Sequence, residues 1–346
     1  MLSPAGAPTL KTAQEADGVD VILRRGGDAL RARMARVESH LERVTAGAGA
    51  PLAKHANATI RAGGKRLRPL LVLVASESAG GPRTTPLGEQ ALVRAAVAVE
   101  LVHSATLVHD DLIDGARLRR GRPTVAATGG RQAAVATGDL LFSLAFAQLA
   151  KNDDAEQLRA LSDASSALAA GELLQREDAY AMDVDIERYL RRCELKTAAL
   201  FQAACRLGAL VAAQGSSALA EGLGAFARGI GLAFQLLDDV LDVSGPVERT
   251  GKARGTDLLE GTVTLPLILA RERERDLARF ELGTLSGPAQ AEELCERIAA
   301  TGALDEARER ALAVVAQAKA ALPTVLPGER SALLELVADA VVERYR

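Results

Sequence analysis

AAVAVELVHSATLVHDDLID, residues 95–114, reads as an apolar helix that ends in acid. Small and branched residues fill the run with only Glu100, His103, Ser104, Thr106 and His109 between them, and it closes on Asp110, Asp111 and Asp114. At about 100° per residue, Asp110 and Asp114 stand about 40° apart on adjacent turns of one face. GIGLAFQLLDDVLD, residues 229–242, repeats the design and closes on Asp238, Asp239 and Asp242. Two long apolar helices of this kind need a large helical interior, and the expected fold is all-α.

The rest of the 346 residues agrees. Aromatics are 3% with no Trp, which leaves the core to Ala, Leu and Val and disfavours sheets. Apolar residues at three- and four-residue steps predict a helix over 19–46, one from just after Arg68-Pro69 to Glu77, and others over 88–114, 131–150, 155–179, 184–213, 217–243, 263–277 and 303–322. Gly80-Gly81-Pro82, Gly121-Arg122-Pro123, Gly129-Gly130, Gly245-Pro246 and the stretch 251–261 read as loops. No composition shift marks a linker. The expectation is a loose tail over 1–18 and one domain over 19–346, a single large helical bundle around a central cavity.

With 42 basic against 45 acidic residues the overall field does not suggest a nucleic-acid binder. Three cysteines, Cys193, Cys205 and Cys295, without CxxC spacing suggest buried thiols in a reducing cytoplasm. The start of the chain lacks the basic and apolar regions of a signal peptide. Arg94, Glu100 and Arg206 interrupt the best candidates for a membrane span, so a soluble cytoplasmic protein with no integral membrane segment is expected.

Like charges one turn apart each destabilise a helix by about 0.2–0.5 kcal/mol, and a neighbouring apolar wall adds to the cost. A hard cation such as Mg²⁺ would offset this, since it takes carboxylate oxygens and fills its shell with water and substrate phosphates. Neither motif has the D-x-D-x-D-G order of an EF-hand. Solvated helix ends are the bland reading, and the matched spacing and lead-in of two copies speak against it. Cations occur nearby in the chain: Lys65 and Arg68 in GGKRLRP, Arg119 and Arg120, Lys196 in the helix 184–213, and Lys252. GGKRLRP lacks the remaining residues of a P-loop. Each cation alone reads as surface charge. Together with two acidic motifs they suggest a phosphate-bearing ligand.

GGKRLRP, HSATLVHDDLID followed by RRGRPT, the KTA at Lys196, and GLAFQLLDDVLD followed by GKARGTDLLEGTVTLP resemble the trans-polyprenyl diphosphate synthase family, long-chain type, from about residue 20 to the C-terminus. The resemblance implies the isoprenoid synthase fold, a homodimer, and head-to-tail condensation of isopentenyl diphosphate with an allylic diphosphate. It assigns Asp110, Asp111, Asp114, Asp238, Asp239 and Asp242 to metal, with three Mg²⁺ ions when substrate is bound. Arg119, Lys196 and Lys252 fall on positions for the leaving diphosphate, and Lys65, Arg68, His103 and Arg120 on positions for isopentenyl diphosphate. Thr197 and Gln235 lie where an oxygen dipole steadies the carbocation, and the released diphosphate is the implied base. His109 reads as a satisfied helix histidine.

In the family, large aromatics four or five residues before the first Asp stop chain growth. Here those positions hold Thr106 and Ala105, with Val102 one turn further, so a product longer than geranylgeranyl diphosphate is expected. DDLIDGARLRRGRPT also lacks the insertion common in farnesyl-type motifs. Thr262 stands where many members have Lys, removing one cation, and Gly115 and Ala116 replace polar residues. A terpene cyclase would have a different second motif and an aromatic pocket. A catalytic subunit that needs a partner and a geranylgeranyl synthase remain as alternatives, while a helical scaffold would not pair acids with cations.

Overall fold

Short-range periodicity sets nearly every element of the structure, a computed structural model that describes residues 18–47, 49–82, 85–213, 215–245, 254–326, 328–343 and 345. The helices are α1 (Gly18–Arg25), α2 (Gly27–Ala46), α3 (Ala50–Arg61), α4 (Leu67–Ser78), α5 (Pro86–Ile113), α6 (Val125–Ala150), α7 (Ala155–Glu177), α8 (Ile186–Cys193), α9 (Ala199–Val211), α10 (Ser217–Ser244), α11 (Thr256–Leu259), α12 (Leu265–Arg273), α13 (Arg275–Ala278), α14 (Pro288–Ala300), α15 (Ala303–Val325) and α16 (Ala332–Glu343). A two-stranded turn, β1 (Leu118–Arg119) against β2 (Arg122–Pro123), follows the first acidic motif.

The helix expected over 19–46 is broken between α1 and α2, where Gly27 takes φ +74°, a value costly for any residue with a Cβ. The second helix begins at Leu67, two residues before Pro69, because the first turn has no use for a proline N–H. Helix α6 begins six residues earlier than expected, since the Thr124 hydroxyl caps the Ala127 N–H. Gly129-Gly130 is therefore a kink inside α6, at Gly130 φ +78°, and not a loop. The helix expected over 184–213 is α8 and α9 joined through a π-turn, Glu194–Ala198. That over 263–277 divides into α12 and α13, α11 falls inside the stretch 251–261 expected as a loop, and α3, α14 and α16 had no counterpart in the sequence reading. Side-chain caps at Thr85, Thr124, Asp154, Asp185 and Ser216 each hold a helix start by about 1 kcal/mol.

Helix α5 runs through the interior against α4, α6 and α9, and α10 packs along α9 and α15. Leu70 to Ala75 on α4, Ala95 to Val99 on α5 and Phe201 on α9 are fully buried. All three cysteines are buried and free. Among the described residues, two helices are long and apolar enough to cross a membrane, Leu87–Ile113 and Val125–Ala150. The apolar window of the first is 72% buried, as a core helix requires, whereas that of the second is only 39% buried and leaves Val135 exposed.

Candidate active site

The last turn of α5 delivers the first acidic motif. Asp111 is buried and accepts from Arg119 Nε at 2.6 Å, so the β1–β2 turn is tied to the end of α5. Asp114 is paired with Arg176 of α7. Asp110 is half-buried. Burial drives its carboxyl up to about 6, Glu172 and Asp114 push the same way, and Lys196 and Arg119 oppose them.

The π-turn between α8 and α9 carries Lys196 and Thr197. Two glycines let helices close on it: a Cβ at Gly171 of α7 would lie 2.6 Å from Lys196 N, and one at Gly231 of α10 would lie 2.8 Å from Ala198 Cα. Lys196 Nζ sits 2.5 Å from Glu172 and within electrostatic reach of Asp110. Thr197 turns toward α10. Its hydroxyl donates to Gln235 Oε1 at 2.7 Å, Gln235 Nε2 donates to Asp239 Oδ1 at 2.7 Å, and Tyr189 OH donates to Asp239 Oδ2 at 2.7 Å. Consecutive residues of one turn thus reach both acidic motifs, which lie more than a hundred residues apart in the chain.

Both oxygens of Asp239 meet protein donors at 3% exposure, and burial, followed by Asp257, pushes its carboxyl up to about 7. Asp238 is more open and accepts from Tyr345 OH at 2.6 Å. The Asp242 carboxylate receives the Asp257 N–H at 3.2 Å, and its carbonyl the Gly255 N–H at 3.0 Å. Thr262 is half-buried, its N–H bound to the Asp257 carbonyl.

GGKRLRP divides its cations by task. Arg66, in the left-handed region at φ 50°, is locked between Glu38 at 2.7 Å and Glu100 at 2.6 Å. Lys65 stays exposed, and the Arg68 guanidinium lies 5.0 Å from the centroid of the Phe201 ring. The Arg120 guanidinium rests on Gly64, where a Cβ would come within 2.6 Å of it. His103 faces this group. Burial first, then Arg68, Arg120, Arg119 and Arg66, hold its imidazole well below the usual range and therefore neutral. Arg68, His103, Arg119 and Arg120 therefore gather on one side of the site, Lys65 follows Gly64 in the chain at an exposed position, and Lys252 lies outside the described residues.

Deeper along α5, Ala105 and Val102 are fully buried, and the Thr106 hydroxyl donates to the His103 carbonyl at 2.8 Å. His109 turns away toward Gly138 and Phe142, its ring centroid 6.0 Å from that of Phe142. A groove of about 520 Å³ between α7 and α8, lined by Leu173, Leu174, Arg188 and Leu195, touches neither acidic motif. Glu172, Arg176, Tyr189, Asp257 and Tyr345 enter the site without a sequence signal, since each reaches it only through the packing of distant helices.

Among the described residues no three His, Cys, Asp or Glu side chains close into a metal cage. The donors are hard carboxylate oxygens, and Asp110 is repelled by both Asp114 and Glu172, which suits a hard divalent cation that completes its shell with water and ligand oxygens.

Residues 50–300 match the family model described as polyprenyl synthetase. Over 242 residues the chain is 40% identical to heptaprenyl diphosphate synthase component 2 of Geobacillus stearothermophilus, covering 70% of this chain and 73% of that protein. It is 38% identical over 283 residues to the all-trans-nonaprenyl-diphosphate synthase (geranyl-diphosphate specific) of Rhodobacter capsulatus, covering 80% and 84%. The structure is similar, with a TM-score of 0.84 at 35% identity over 96% of this chain and 99% of the other, to the crystal structure of a polyprenyl synthase from Caulobacter crescentus CB15 complexed with calcium and isoprenyl diphosphate. Relatives are also named for shorter products, down to geranylgeranyl diphosphate.

Proposed function

Because the chain belongs to the polyprenyl synthetase family and is a trans-polyprenyl diphosphate synthase of isoprenoid synthase fold, we propose that it condenses isopentenyl diphosphate with an allylic diphosphate, head to tail and Mg²⁺-dependently, to a product longer than geranylgeranyl diphosphate. The observation that carries this reading is the π-turn: Lys196 faces Asp110 while Thr197 is bonded through Gln235 to Asp239.

Of the six aspartates assigned to metal, Asp110, Asp114, Asp238 and Asp242 would hold the ions directly, three with substrate bound, while Asp111 and Asp239, both buried and hydrogen-bonded within the protein, orient Arg119 and Gln235. Bound there, Mg²⁺ supplies Lewis-acid stabilisation of the leaving diphosphate. Lys196 and Arg119 add positive charge on the same side, and Lys252 is assigned to that group from the sequence alone. Lys65, Arg68, Arg120 and neutral His103 hold isopentenyl diphosphate, with His103 giving a hydrogen bond without titrating. Thr197 and Gln235 present oxygen dipoles to the allylic cation, and apolar walls exclude water that would intercept it. The released diphosphate takes the final proton. Thr262 leaves the leaving group one cation short of many members.

Small side chains at Ala105 and Thr106 support a long product, as do relatives named for heptaprenyl and nonaprenyl products. The domain is taken as 19–346, and the chain as a cytoplasmic homodimer without a membrane-spanning segment. The half-covered apolar face of α6 supports the dimer, the three free buried thiols a reducing compartment, and the burial of α5 its role as a core helix. The relatives named component 2 favour a second reading, in which the chain is the catalytic subunit of a pair.

Incubation of the purified chain with Mg²⁺, isopentenyl diphosphate and farnesyl or geranylgeranyl diphosphate, with chromatographic sizing, tests the proposal. Products beyond twenty carbons are expected. A product of twenty carbons overturns the chain length, and activity that appears only with a second subunit favours the paired reading.

A further inference from the structure

We propose that Tyr189 is a positioning residue for the alkyl transfer: through Asp239 and Gln235 its hydroxyl fixes the direction of the Thr197 proton, so that Thr197 offers the site an oxygen lone pair. The inference rests on the reading of Thr197 and Gln235 given above.

The polarity of the chain follows from what each group can do. Tyr189 and Gln235, the donors on both oxygens of Asp239, favour its ionised form; an ionised carboxylate accepts only, and a phenol has one proton to give. Tyr189 gives that proton to Asp239 Oδ2, and Oδ1 draws the Gln235 NH₂ toward itself, both at 2.7 Å. The Gln235 carbonyl then points the other way, and because it too only accepts, the bond of 2.7 Å to Thr197 must use the single hydroxyl proton of Thr197. The lone pairs of Thr197 are what remains. A hydroxyl so turned stabilises a cation, whereas one presenting its proton opposes it, and the direction is set before the cation forms.

Tyr189 is itself fixed. It is fully buried, its ring lies 5.5 Å from the Arg192 guanidinium, and Arg192 is held by Asp178 at 3.3 Å and the Val263 carbonyl. The Cys193 thiol, one turn on, lies against the same hydroxyl. Tyr189→Phe keeps the ring and its stack and removes only the donor, which leaves the Asp239 carboxylate with the charge of Arg192 but without the hydrogen bond that directs it toward Gln235.

The test compares Tyr189→Phe with wild type in turnover and in the binding of two allylic diphosphate analogues, one with an ammonium at the cationic carbon and one a neutral isostere. The expected result is kcat about tenfold lower with both KM values within about twofold, and about tenfold weaker binding of the ammonium analogue with the neutral one unchanged. A merely structural role would weaken both analogues alike, and that result overturns the inference. In a Thr197→Val background the further loss should fall below about twofold, and additive losses overturn it. If Thr197→Val itself keeps the preference for the ammonium, the underlying reading of Thr197 fails. If Thr197→Val loses it and Tyr189→Phe does not, only Tyr189 fails. Should Tyr189→Phe not fold, Gln235→Leu cuts the same chain, and a retained preference there overturns the inference.

Discussion

Gly171 lies flush against Lys196: a Cβ on the glycine would stand 2.6 Å from the Lys196 backbone nitrogen and 2.9 Å from its Cα. Backbone cannot rotate aside as a side chain can, so Gly171→Ala must push α7 and the π-turn apart. Overpacking of this kind costs about 1–3 kcal/mol. Because Glu172 and Lys196 flank the contact, the variant should lower both the melting temperature and kcat. A variant as active and as stable as wild type would show that the site does not need this approach.

Neighbouring cations of GGKRLRP should behave in opposite ways. Arg66→Ala leaves Glu100, 6% exposed at its side chain, without its partner at 2.6 Å, and breaking a buried pair costs about 3–5 kcal/mol. Lys65→Ala, at an exposed position, should change stability by less than about 0.5 kcal/mol and raise KM for isopentenyl diphosphate. Denaturant unfolding and steady-state kinetics on both variants check the contrast.

The Asp110 carboxyl, held up to about 6, makes the metal-free protein sensitive to pH. Unfolded aspartate titrates near about 3.9. Below about pH 4 both states keep the proton and no difference arises. Between there and about pH 6 the unfolded chain loses its proton first, so this group's contribution to stability falls as pH rises, by up to about 3 kcal/mol, and stays low above. Asp110→Asn cannot ionise. Without metal it should exceed wild type in stability at neutral pH and match it near about pH 4, as pH-resolved melting would read, and a difference independent of pH would refute the assignment. Mg²⁺ should raise the wild-type melting temperature at neutral pH more than that of the variant.

Ala105→Phe fills the position one helical turn and one residue before Asp110, where the wild-type side chain is fully buried. The product should shorten by one or more isoprene units, read by chromatographic sizing. An unchanged product distribution would mean that the growing chain does not pass Ala105.

Helix α6 leaves most of its apolar window uncovered and Val135 39% exposed. Val135→Glu would bury a charge in any interface formed there. Light scattering should then show a wild-type dimer and a variant shifted toward monomer, whereas a monomeric wild type would show that α6 forms no such interface.

Helices and acidic motifs were legible in the sequence because their signals are local: apolar residues three and four apart define a buried face, and Asp110 and Asp114 share a face whatever surrounds them. The positions of the helix breaks were less legible. Gly27 and Gly130 both adopt positive φ, but one ends a helix and the other only kinks it, since packing and caps decide how a local bend is used. Only the tertiary structure separated the acids of each motif, turning Asp111 and Asp239 into the core while Asp110 and Asp238 stay more open. It also brought in Glu172 and Tyr189, the latter fifty residues from its partner Asp239. Contacts between distant helices depend on how closely their backbones approach, and at the π-turn that distance is set by two glycines whose lack of a side chain acquires meaning only once the helices are packed.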